Sequence, residues 1–116
     1  MAILDFDGSY EKQPSEQKTI RADFSQVCSA LVVAGYTLSS AEVKVFDVTG
    51  TDVTATMIQG VPTVDAVNNW VFVTLKNGTD ATNYTARFKT TWTKAGQPDQ
   101  VDEKDLLIQV RQRGFA

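Results

Sequence analysis

Histidine is absent from this chain of 116 residues, and cysteine occurs once. Without histidine the commonest general base and metal ligand is missing, and a serine triad of the usual form cannot be built. The single Cys28 has no internal disulfide partner, which excludes paired-cysteine metal and redox sites. Burial habits make it a small core filler. Basic runs are missing too: 11 Lys and Arg are scattered among 14 Asp and Glu, for a net charge of -3. That balance argues against nucleic acid, whose phosphates demand clustered cations. No apolar stretch approaches the roughly 20 residues of a membrane span; the longest covers residues 30–34. Residues 1–7 are acidic where a secretory leader would be basic, so a soluble, cytosolic product with no membrane partner is expected. Asn77-Gly78-Thr79 and Asn83-Tyr84-Thr85 therefore read as turn chemistry instead of glycosylation sites.

What the chain does have is alternation with a period of two. Ile20, Ala22 and Phe24 alternate with polar neighbours, as do Ala41, Val43 and Val45, and then Val53, Ala55 and Met57. Val71, Val73 and Leu75 form one face of the next run, and Tyr84, Ala86, Phe88 and Trp92 one face of the run after it. Leu106, Ile108 and Val110 close the series. Each segment offers one face to a core and one to water or a partner. Turn residues punctuate them at Gly35, Gly50, Pro62, Asn68-Asn69, Asn77-Gly78 and Gly96. With a short segment near residues 63–66, about seven strands result, the rhythm of an immunoglobulin-like antiparallel β-sandwich. Helix patterning is nearly absent; the best candidate is residues 25–34, with Ser25 as its cap, and the favoured reading there is one turn of helix joining two strands. Tyr84 opens the penultimate strand, the place for a tyrosine corner whose hydroxyl bonds back to the preceding backbone. Residues 1–17 are polar and turn-rich and read as an N-terminal arm, ordered only when docked, ahead of a sandwich domain at 18–116.

Three acidic motifs invite a chemical reading. Asp5-Phe6-Asp7-Gly8-Ser9 matches the first motif of haloacid-dehalogenase-type phosphatases, in which two carboxylates at a strand end share Mg²⁺ and the first is the nucleophile. That chemistry needs a buried parallel strand and βα units, and the pattern predicts neither. Asp5, Asp7, Ser9 and Glu16 fall at calcium-loop spacing, yet Tyr10 stands where the loop requires glycine. Asp99, Asp102, Glu103 and Asp105 read as an exposed acidic hairpin, with Lys104 inside it. No catalytic, cofactor or metal site is therefore assigned. The remaining candidates are aromatic. If Val71, Val73 and Leu75 face the core, Trp70 and Phe72 face outward, as Phe46 does opposite Val43 and Val45. Grouped outward aromatics mark a surface for protein or, as an alternative, for glycan.

The order of features resembles the fiber–tail adaptor-like proteins of tailed phages and prophages. Lys12-Gln13-Pro14-Ser15-Glu16 is similar to their opening Lys-x-Pro-x-Glu element, and Ile20 to Ser25 to their apolar-Asp-aromatic-Ser strand. Thr37-Leu38-Ser39-Ser40, the Gly78 corner leading to Tyr84, Thr90-Thr91, Gly96 and the closing strand at 102–110 complete the likeness. It covers residues 12–110, departing in a single glycine at the corner and a longer stretch at 26–35. The resemblance implies a non-enzymatic virion component, made in the host bacterial cytoplasm, that joins fiber, tail or head parts. It implies other virion proteins as partners, multiple copies or a homo-oligomer, and no cofactor. Phe6 and Tyr10 in the arm, with Trp70 and Phe72, are the expected protein-binding residues. Removing residues 1–16 is expected to leave a folded domain that no longer joins its assembly.

Overall fold

Alternating segments become strands wherever one face can be buried, and two sheets stack face to face as a result. The computed structural model describes residues 2–4 and 9–112. Its strands are β1 (Ala2–Leu4), β2 (Ser9–Lys12), β3 (Lys18–Asp23), β4 (Thr37–Phe46), β5 (Ile58–Asp65), β6 (Trp70–Leu75), β7 (Thr82–Thr93) and β8 (Gln100–Val110). Short helices α1 (Phe24–Val27), α2 (Ser29–Val33) and α3 (Thr54–Met57) lie between them. One sheet has the order β1-β3-β6-β5 and the other β2-β8-β7-β4. Leaving out the three-residue β1, seven strands build the two layers, so the all-β sandwich read from the sequence is the observed fold. In chain order β3, β6 and β5 occupy the places of B, E and D in an immunoglobulin arrangement, and β4, β7 and β8 those of C, F and G.

The inner faces supply the core. Ile20 and Ala22 from β3, Val71, Val73 and Leu75 from β6, and Leu106, Ile108 and Val110 from β8 are all buried. Phe24 and Phe88 meet with ring centroids 5.9 Å apart. Trp92 is buried completely, and its indole N–H donates to Thr90 Oγ1 at 3.0 Å, satisfying the one polar atom of the ring. Each such large side chain contributes about 1.5–3 kcal/mol on removal from water.

Four local expectations need correction. Residues 53–57 do not continue as a strand: Asp52 Oδ1 accepts from both Thr54 N–H and Thr54 Oγ1, and that side-chain turn starts α3. Pairing begins only at Ile58 and absorbs the segment near 63–66. The single helical turn expected within 25–34 is two short helices broken at Cys28. Its cap is Asp23, not Ser25, because Asp23 Oδ1 accepts the Ser25 N–H at 2.9 Å. The sandwich is also not wholly antiparallel: β1 runs parallel to β3, and β2 parallel to β8.

Much of the expected arm belongs to the sheets. Residues Ser9 to Lys12 pair with Leu107 to Val110, so this segment docks on its own sandwich. Gly78 lies at the corner beneath it with φ +104, where a Cβ would stand 2.8 Å from Val110 Cγ2. Only glycine fits that combination of backbone and space.

Candidate functional site

Of the expected contact residues, Phe6 lies outside the described residues, as do Asp5 and Asp7. Tyr10 sits on β2 opposite Ile108, on the inward side of the strand, half-buried against the core. Burial, followed by the negative charge of Glu16, raises its phenol above the usual value. Tyr10 thus packs within the domain. Lys12, two residues on, is almost fully buried at 2% exposure. Its ammonium donates to Gln13 O at 2.6 Å and to Asn77 O across the corner. Burial lowers its pKa, opposed by the carboxylate of Glu16. Glu16 itself accepts the Gln13 N–H at 2.9 Å and pairs with Lys18 at 3.2 Å. The Lys-x-Pro-x-Glu element is therefore a clasp that holds β2 to the 76–81 corner. The sequence placed Lys12 in the arm, and its inward position follows only from the pairing of Tyr10 with Ile108 and Lys12 with Val110.

Trp70 and Phe72 do lie on the outer face of their sheet, opposite Asp23 and Arg21 of β3. Neither is freely exposed; both are half-buried. Their rings meet edge to face at 6.3 Å, and the Arg21 guanidinium stacks 3.9 Å above the Trp70 ring. Arg21 Nε is buried with no hydrogen-bond partner among the described residues. Arg21 was not singled out in the sequence; its outward position beside Phe72 follows once the register is known. Phe46 faces outward on the second sheet, half-buried, with the Arg87 guanidinium 5.2 Å from its ring. Tyr10 and the Trp70–Phe72 pair sit on different sheets and do not converge on one site.

The tyrosine corner is present: Tyr84 is 7% exposed and its hydroxyl accepts the Thr79 N–H at 3.0 Å. Beside it opens a cleft of about 560 Å³, walled by Val48, Val53, Met57, Asn77, Thr79 and Tyr84. The acidic run at 99–105 is divided by the pleat. Asp102 turns to the inner side, where its carboxylate accepts from Cys28 Sγ at 3.3 Å and pairs with Lys104 at 3.7 Å. Glu103 and Asp105 turn outward, and Asp105 pairs with Arg87 at 3.0 Å. Among the described residues no group of three or more Cys, Asp or Glu side chains could hold a metal ion. Burial and the neighbouring Asp102 push the Cys28 thiol up to about 12, far from the reactive thiolate range.

Neither a family model nor a curated protein matches the chain. No helix among the described residues is long and apolar enough to cross a membrane.

Proposed function

We propose that this chain is a non-enzymatic structural protein of a tailed-phage particle, joining fiber, tail or head components by protein–protein contact. The observation that carries the reading is the Arg21–Trp70–Phe72 array on the outer face of the first sheet. Arginine and tryptophan are the residues over-represented where protein interfaces concentrate their energy. The resemblance over residues 12–110 gives the particle context. A rigid sandwich suits a connector that must transmit geometry between larger parts, present in several copies. A glycan platform at Trp70 is the weaker reading, because the guanidinium already covers one ring face at 3.9 Å.

The test is incorporation. Particles purified from the phage that encodes this reading frame should contain the protein, and Trp70→Ser with Phe72→Ser should leave it folded in the lysate but missing from particles. Absence of the wild-type protein from purified particles would overturn the reading.

A further inference from the structure

Strand β2 covers only part of its neighbour. Its four residues pair with Leu107 to Val110, so residues 100–106 of β8 have no strand on that side among the described residues. The direction of the backbone groups along this edge follows from one bond: Arg111 N–H donates to Lys12 O at 2.9 Å. Since N–H and C=O alternate sides along a strand, those of Val101, Glu103 and Asp105 point to the uncovered side. An edge of this kind is a template for another strand unless something blocks it.

Charge says what kind of strand. Reading across the outer face of the second sheet, Glu42 on β4 stands opposite Lys89 on β7, which stands opposite Glu103 on β8. The next row is Lys44, Arg87 and Asp105. Both rows end in a carboxylate at the open edge, beside a cation on β7. A basic residue in the next place continues each row with the sign that stabilises it, and an acidic one reverses it. Val101 at 56% exposure and Leu107 at 39% flank the two carboxylates on the same face, leaving apolar surface at either end of the edge.

The same charges exclude a second copy of this chain paired about a two-fold axis. Centred on Asp102, Glu103 or Asp105 it sets that carboxylate against itself; centred on Lys104 it sets Glu103 against Asp105. We propose that the uncovered edge of β8, residues 100–106, is a strand-addition site for an extended segment of a partner protein carrying Lys or Arg at alternate positions. Main-chain hydrogen bonds supply the affinity and the two rows of charge the selectivity. This site lies on the opposite sheet from Trp70 and does not depend on the adaptor reading.

The experiment uses the whole chain, labelled with ¹⁵N, and a blocked seven-residue peptide alternating valine with lysine. Its control carries glutamate in place of lysine. The lysine peptide should shift the amides of Val101, Glu103 and Asp105 and protect them from exchange, and added salt should weaken it. The glutamate peptide should bind at least about tenfold more weakly. Glu103→Lys should cost about tenfold for the lysine peptide. Glu103→Pro removes an edge N–H that faces no strand among the described residues, and should abolish binding; if that variant does not fold, Glu103→Lys decides. Equal binding of both peptides, shifts elsewhere on the surface, no binding at millimolar peptide, or undiminished binding by Glu103→Lys or by a folded Glu103→Pro would each overturn the proposal.

Discussion

The ammonium of Lys12 donates to the carbonyl oxygen of Asn77, fastening the second strand of the chain to the corner that precedes the tyrosine. A buried amine with two backbone acceptors is costly to form and more costly to break, because removing it orphans both carbonyls.

Lys12→Met, which keeps the length of the side chain but not its charge, is accordingly expected to lower stability by about 2–4 kcal/mol. Deleting residues 1–16 should do at least as much, since it also strips β2 from β8. The arm was expected to be dispensable for folding, and the clasp reverses that expectation. Urea unfolding of the two variants measures both effects; a truncated chain with an unchanged midpoint would dispose of the clasp.

The corner gives a second ordering of effects. Tyr84→Phe removes the acceptor for the Thr79 N–H and should cost about 1 kcal/mol. Gly78→Ala should cost more, about 2–4 kcal/mol, because a left-handed backbone and an overpacked contact coincide there. Thermal midpoints of the two proteins should fall in that order. A Gly78→Ala protein as stable as the parent would show that Val110 and Met57 give way freely.

Acid should unfold the domain through exposed turns as well as through its core. Asp47 is held below its ordinary value mainly by the Thr49 hydroxyl and the Thr51 N–H, Asp52 by Thr54, and Asp65 by Asn68. In each the folded carboxyl is the stronger acid, so the unfolded chain binds more protons in the window between the two values. Their stabilisation is complete above the unfolded value near ~4 and is lost as pH falls through the folded ones. The triple variant Asp47→Asn, Asp52→Asn, Asp65→Asn should flatten the decline of the urea midpoint below that pH. An identical slope in the parent would remove these turns from the account.

Where alternation was sustained and one face apolar, as at Val71-Val73-Leu75, or apolar but for Thr90, as from Tyr84 to Trp92, the strands were legible in the sequence. The sandwich followed from them. Residues 53–57 misled because Val, Ala and Met alternate with Thr, and a threonine hydroxyl bonded to Asp52 forms a turn as readily as it decorates a strand. Asp102 was grouped with Glu103 and Asp105 in the sequence, but the pleat sends it to the inner side and leaves the other two together on the outer face. Lys12 stayed hidden because its two acceptors come from the adjacent residue and from a corner far along the chain. Of the proposed contact residues, Trp70 and Phe72 were placed on the outer face by alternation, but Arg21 required knowing which strand lies beside β6.

The thiol of Cys28 offers a probe of local opening. Buried, bonded to Asp102 and raised to about 12, it should resist a thiol reagent at pH 8 for as long as the domain is closed. Modification should then proceed at the rate of opening, accelerating with urea in step with unfolding. Immediate reaction of the native protein would mean that the break between α1 and α2 opens by itself.

Tryptophan emission separates the outer face of the first sheet from the core, because Trp92 is buried completely while Trp70 is half-buried under Arg21. Arg21→Ala removes a stacked cation worth about 1 kcal/mol at such a site, and at the same time a buried Nε that lacks a partner. The two changes oppose each other, so stability should move by no more than about 1 kcal/mol. Trp70 should meanwhile become more accessible, giving emission shifted to the red and stronger quenching by acrylamide. A spectrum unchanged by Arg21→Ala would mean that the guanidinium does not cover Trp70 in solution, and the proposed contact array would lose its arginine.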